Sequence, residues 1–223
     1  MANPNPQDVE NAQMLELASK TSGIWGLQYL LPMGFNITFV GVFVAIFVSF
    51  EFSFGTMKNT LSRGADRIKV FFSKFIVCGS ASLVMLFAFI LSLLATGTII
   101  WGFDPSGSAT LTGIIGMVLL QSLLIVAFTA LFVFVSMTMR SNGGAIATNI
   151  ICVTMASTLL GAISMLFGGS IDLSHYWLSY SVSTLATLAP ATSDVVHGIL
   201  VALGWGIASL SLGTVLFKKQ DVK

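Results

Sequence analysis

Charge is what this chain has least of. Asp, Glu, Lys and Arg make up 9% of its 223 residues, where a soluble domain carries about a quarter. With 55% hydrophobic residues and a mean hydropathy of +0.92, so thin a polar coat excludes an ordinary soluble fold. The chain reads as a polytopic membrane protein. Its formal net charge of +1 makes no basic field for nucleic acid. The only two cysteines, Cys78 and Cys152, lie in apolar runs without CxxC spacing or a neighbouring histidine. That excludes a disulfide framework or a zinc cluster and leaves them as small, polarizable packing residues. Residues 1–26 hold no apolar signal-peptide core, so no cleavable leader is expected. A GxxxxGK[ST] run is also missing, and with it the phosphate cradle of a P-loop ATPase.

What the chain does have is long apolar runs. Five reach membrane length: about 27–50, 72–101, 111–139, 143–168 and 194–217. Some 20 apolar residues cross about 30 Å of hydrocarbon as a helix. The runs are hydrophobic all round, without the alternation of barrel strands. The expected fold is therefore an all-α integral membrane bundle of five transmembrane helices. It divides into an external N-terminal segment at 1–26, a membrane domain at 27–217 and a cytoplasmic tail at 218–223.

The few charges are sorted by loop. Lys58, Arg63, Arg67, Lys69, Lys74, Arg140, Lys218, Lys219 and Lys223 fall on one side, leaving only Lys20 for the other. Asp8, Glu10, Glu16, Asp104 and Asp172 fall with Lys20. Cytoplasmic loops carry the excess of Lys and Arg, which places the N-terminus outside and the C-terminus inside a cell membrane, as in a bacterial plasma membrane. Lys or Arg at a bilayer centre costs roughly 2.5–3.5 kcal/mol, so the basic loop at 51–74 must be aqueous. On the external side, 13–31 reads as a short surface helix with Trp25 and Tyr29 at interface depth. The 169–193 segment, too polar to cross and too apolar for a free loop, reads as an interfacial or re-entrant helical hairpin ended by Pro190, with a plain surface loop as the alternative.

Inside the runs no ionisable residue sits at mid-depth, where an ion-coupled transporter would need one. The polar inventory there is Asn36, Gln121 and Asn149 with scattered Ser and Thr. These three either line a translocation path or make interhelical hydrogen bonds. Gly198, Ala202 and Gly206 form a small-residue stripe at i, i+4, i+8, which lets another helix approach within one subunit or across a dimer. Two enzyme readings are weak. His175 and His197, each three residues after an aspartate (Asp172, Asp194), lack the close spacing of a metallopeptidase site. Ser170 and His175 share one short aqueous turn, whereas an intramembrane serine protease needs its pair buried across a bundle.

One motif remains. Glu51, Gly55, Thr56, Leu61, Ser62 and Arg63 fit the outline E-x-x-x-G-T-x-x-x-x-L…S-R, Lys74 stands at the next helix entry, and Phe217, Lys218, Lys219 and Asp221 close the chain. In these residues and in its run of spans, the chain resembles the permease subunits of ABC-2 type (type V) ATP-binding cassette exporters. It departs from that pattern in lacking the proline beside the Ser-Arg pair. Its basic loop also follows the first span rather than the second, so the family's leading helix has no counterpart in the sequence. The resemblance implies a non-catalytic subunit with no cofactor of its own, ATP being bound by a separate ATPase. A short coupling helix within 52–70 would dock on that ATPase, using the outline of Glu51, Gly55 and Thr56 and the cations Lys58, Arg63 and Arg67. Phe52 and Phe54 would anchor the elbow at the bilayer surface. Further partners would be a second or related permease copy and membrane lipids. The expected activity is export of an amphipathic or apolar cargo such as a peptide, drug or lipid-linked molecule. The alternatives are a non-transporting immunity or sensor protein and, behind it, an intramembrane enzyme.

Overall fold

The computed structural model describes residues 22–55, 57, 62, 66–103, 110–139, 141–166 and 172–219; of Ser53 and Lys219 it describes the backbone alone. Helix α1, Gly23–Leu30, starts at Ser22, whose hydroxyl accepts from the Trp25 amide at 3.0 Å. Trp25 and Tyr29 stack at 5.1 Å on its surface. Of the expected surface helix over 13–31, residues 13–21 lie outside the described residues; Gly23–Leu30 is helical, with Ile24 and Leu27 buried and Tyr29 exposed. The expected first span from residue 27 is not met. Leu31–Gly34 breaks the chain, and α2 runs Phe35–Ser53. Pro32 has no amide to donate, and its ring blocks the carbonyl four residues back. Gly34 then turns at φ +70°, a left-handed conformation that only glycine adopts without strain.

Helix α3, Arg67–Trp101, is capped by Asp66, which accepts from the Ile68 amide at 3.0 Å. It begins before the expected start at residue 72, and α2 continues to Ser53, so both ends of the expected 51–74 loop are helical. At 35 residues α3 is about 52 Å long, more than the membrane needs, and must tilt or project from it. Helix α4 is Leu111–Met139. The expected span 143–168 is instead two helices, α5 (Asn142–Thr154) and α6 (Ala156–Leu166), bent by 58°. A 3₁₀ turn, Leu173–Tyr176, and the short α7, Leu178–Thr184, lead into α8, Thr192–Lys219. No strand occurs among the described residues. Among the described residues four helices, α2, α3, α4 and α8, are long and apolar enough to cross a membrane, and there is a fifth candidate if the bent pair is one span.

Helix α4 is the centre of the bundle. Its most apolar window is 61% buried, against 17% for α3 and 22% for α8. Phe128 and Phe132 are fully buried on it, and Gly41 of α2 lies so close that an added Cβ would sit 3.3 Å from the Phe132 ring. Helices α1 and α3 meet glycine to glycine. The Gly23 amide donates to the Gly102 carbonyl at 2.9 Å, and a Cβ on Gly97 would fall 2.7 Å from the Gly23 Cα. Peripheral faces carry large exposed apolar side chains such as Ile99, Leu166, Leu200 and Ile207, the surface that lipid covers in a multi-pass bundle.

Candidate functional site

At one end of the bundle the chain passes from α2 to α3 through the basic elbow. Gly55 supplies the turn at φ +68°, a left-handed geometry that a side chain would strain. Thr56, Lys58 and Arg63, expected to dock a partner, lie outside the described residues. Met57 and Ser62 are helical, Met57 buried and Ser62 exposed. Phe54 is exposed and packs on Phe50, with ring centroids 4.2 Å apart. Phe52 is half-buried against the core.

The two legs of this elbow are tied together. Glu51, in the last turn of α2, forms an ion pair with Lys74 of α3, whose ammonium also lies 4.6 Å from the Phe47 ring centroid. Lys74 is the more sheltered partner, with 13% of its side chain exposed against 33% for Glu51. Arg67, expected among the docking cations, extends from the start of α3 and donates to the Phe217 carbonyl of α8 at 3.4 Å. Phe71, one turn on, is fully buried against Gly213 of α8. The elbow is thus fixed to three helices at once. The sequence pattern singles out Glu51 and Lys74 as separate motif positions but not as a pair. Its one signal for the pairing is an acid and a base flanking the same loop between apolar runs.

The opposite end of the bundle holds three interrupted segments: the Pro32–Gly34 turn, the α5–α6 bend and the 173–184 hairpin. Of the segment expected as a hairpin over 169–193, residues 172–193 are described: α7 packs into the bundle, with Leu178, Val182 and Leu185 buried. Trp177 Nε1 donates to the Cys152 carbonyl at 3.0 Å and the Ser179 hydroxyl to the Val153 carbonyl at 3.1 Å. These two carbonyls end α5, where a helix leaves acceptors for outside donors. Side chains drawn into the ladder in this way bend helices. Trp177 meets Trp205 of α8 edge to face at 4.7 Å, and Trp205 Nε1 donates to the Tyr176 carbonyl at 2.8 Å. A cavity of about 440 Å³ opens between the three segments, lined by Gly34, Ile37, Thr154, Ser157, Ser179 and Tyr180 among others.

The expected path-lining residues go to different places. Gln121 Nε2 donates to the Val182 carbonyl at 3.0 Å, fastening α4 to α7. Asn149 Nδ2 donates to the Gly41 carbonyl at 3.0 Å, fastening α5 to α2. Both therefore close interhelical bonds. Asn36 has another setting. It is 5% exposed in the first turn of α2 and makes no interhelical bond among the described residues; its Oδ1, like that of Asn149, is a buried acceptor without a partner there. A buried acceptor left so costs roughly 1–3 kcal/mol. Asn36 lines a separate groove of about 350 Å³ between α2 and α3.

The histidines lie at the hairpin end. His175 Nε2 stands 3.4 Å from Asp172 Oδ2, and His197 Nε2 bonds the His175 carbonyl at 2.9 Å. Ser174, hydrogen-bonded to Asp172 through hydroxyl and amide, holds that carboxyl below its ordinary range, with His175 adding to the effect. Among the described residues no three His, Cys, Asp or Glu side chains gather as metal ligands. Ser170 lies outside the described residues.

The chain belongs to the family described as "Protein of unknown function (DUF2705)", whose profile matches residues 7–223. Neither a curated protein nor a solved structure matches it.

Proposed function

We propose that this family member is the permease subunit of an ATP-binding cassette exporter, driven by a separate ATPase that grips the 52–70 elbow from the cytoplasm. The observation that carries the reading is the tying of that elbow to α2, α3 and α8 through Glu51–Lys74, Arg67–Phe217 and Phe71–Gly213. An elbow so held transmits a push to three helices, whereas a loose loop would absorb it. The basic residues clustered on the elbow side support a cytoplasmic placing, where rim charges would set encounter rate and register with a partner. Interrupted helices around a cavity at the far end are the kind of feature that forms substrate sites in transporters. Two copies, or one copy with a related chain, would enclose the path for an amphipathic or apolar cargo.

The test is reconstitution of the chain in proteoliposomes with any nucleotide-hydrolysing subunit that co-purifies with it. Charge reversal at Lys58 and Arg63 is expected to abolish both association and ATP-dependent export while leaving the permease folded. Association and export unchanged by that double reversal would overturn the proposal. A chain that binds no ATPase at all would favour the immunity or sensor reading.

A further inference from the structure

We propose that the cavity between the Pro32–Gly34 turn, the α5–α6 bend and the hairpin binds a primary ammonium group, the head of an amphipathic ligand. That the ligand is the exported cargo rests on the permease reading above; the binding itself needs no ATPase. The cavity measures about 440 Å³, within the range of small-molecule sites, about 300–1,000 Å³. Four hydroxyl side chains of its wall have committed their protons inside the protein. Thr154 donates to the Ile150 carbonyl at 2.9 Å and Ser179 to the Val153 carbonyl at 3.1 Å. Ser183 donates to the Tyr180 carbonyl at 2.8 Å and Ser174 to the Asp172 carboxylate at 2.7 Å. A hydroxyl has one proton and two lone pairs, so these four can still accept and no longer donate. The Ser157 and Tyr180 hydroxyls, without a bond among the described residues, take either role. The wall therefore asks its ligand for donors, and an ammonium brings three. Charge separates an ammonium from a neutral donor. Among the described residues no charged side chain lines the cavity. The described lysines and arginines lie toward the elbow, while Asp172 and Asp194 lie at the hairpin end. Asp172 stays ionised because Ser174 holds its carboxyl below the ordinary range, and Ser174 is itself a wall residue. A cation seated there meets a carboxylate one hydrogen bond behind the wall. Ile37, Val153 and Val182 supply apolar lining against which an alkyl chain buries itself.

The experiment places the full chain in nanodiscs of zwitterionic lipid, with no ATPase present, and measures binding by equilibrium dialysis against empty nanodiscs. The probes share one alkyl chain: hexylammonium, hexyltrimethylammonium, hexanol and hexanoate, all at pH 7, where a primary amine is protonated. Hexylammonium is expected to bind about tenfold more tightly than each of the others, the worth of one charge-assisted hydrogen bond. Thr154→Val with Ser183→Ala removes two acceptors from exposed side chains and should erase that advantage. Should the double variant not fold, Thr154→Val alone, which keeps the side-chain shape, decides by the same reading. Hexyltrimethylammonium bound as well as hexylammonium would show attraction to charge without recognition of donors, and would overturn the proposal. So would hexanol bound as well, which needs no charge. Hexanoate bound more tightly would mean that the first-turn amides of α2 and α6 set the polarity of the cavity, and would overturn it equally. An advantage kept in full by the variants would place the ammonium elsewhere, with the same consequence. A chain that exports with an ATPase yet shows no preference for hexylammonium would keep the permease reading and lose this one; the preference without any export would do the reverse.

Discussion

Glu51 and Lys74 close an ion pair between α2 and α3 at the base of the elbow, and the Lys74 ammonium lies 4.6 Å from the Phe47 ring centroid. The pair joins the two helices beside the connection that links them. A cation so sheltered cannot simply return to water when its partner is removed. Lys74 faces the ring and the carboxylate together, so losing Glu51 leaves a charge against an apolar surface.

Glu51→Gln and Lys74→Met are each expected to destabilise the protein by about 1–3 kcal/mol, between the values for exposed and buried pairs. The double variant should cost less than the two singles added. Chemical unfolding in detergent micelles, run as a double-mutant cycle, measures the difference. Strictly additive effects would mean that the two charges do not interact.

Glycine substitutions separate the close helix contacts from the open ones. A Cβ on Gly213 would lie 2.4 Å from the Phe71 ring, and one on Gly97 2.7 Å from the Gly23 backbone, while one on Gly206 meets nothing within 4 Å. Gly213→Ala is expected to cost about 1–3 kcal/mol by overpacking, with partial relief in a Phe71→Leu background. Gly97→Ala has only backbone to push against and should cost at least as much. Gly206→Ala should leave the single subunit's melting midpoint unchanged. Gly198 and Ala202 of the small-residue stripe pack within the subunit, against Leu185 and the core; if Gly206, its open member, meets a second copy, that variant will instead shift the oligomer distribution in size-exclusion chromatography.

Much of this bundle is legible in the sequence, because hydrophobic length alone fixes where a helix can cross. The starts of α4 and α8 lie within two residues of the expected ones. The first span starts later than expected because Leu27 and Leu31 read as apolar and membrane-bound, while Pro32 and Gly34 inside the run break it. The bend between α5 and α6 leaves no such mark: Thr154, Met155 and Ala156 include neither proline nor glycine. The donors that meet its free carbonyls, Trp177 and Ser179, are distant in sequence, and hydropathy does not report which side chain will reach a helix end. The same limit hides the Glu51–Lys74 pair, whose members are 23 positions apart.

Asp172 gives a pH expectation with a defined sign. Its carboxyl is held below the ordinary 3.8 by Ser174, so its contribution is present above about pH 3.8 and fades as the pH falls through the lowered folded value. Asp172→Asn should therefore alter the melting midpoint at pH 5, and its difference from wild type should shrink as the pH falls below about 4. A difference that grows on acidification would contradict the capping role assigned to this carboxylate at the start of the 3₁₀ turn.

The bend itself offers the sharpest test of how the hairpin end is built. Trp177 and Ser179 supply hydrogen bonds to the Cys152 and Val153 carbonyls, and the Trp177 ring is buried against Trp205. Trp177→Phe keeps an aromatic ring and removes the indole donor together with part of the buried ring volume, so its cost should be about 1–3 kcal/mol. Ser179→Ala should cost about as much, and the two should couple, because each carbonyl is exposed only while the break stays open. If the bend is imposed by these donors, the double variant lets α5 and α6 straighten into a continuous ladder. Amide exchange at Ala156 and Ser157 would then slow relative to wild type, since both amides gain a carbonyl four residues back. If exchange there is instead unchanged or faster, the bend belongs to α5 and α6 themselves, and the hairpin merely occupies it.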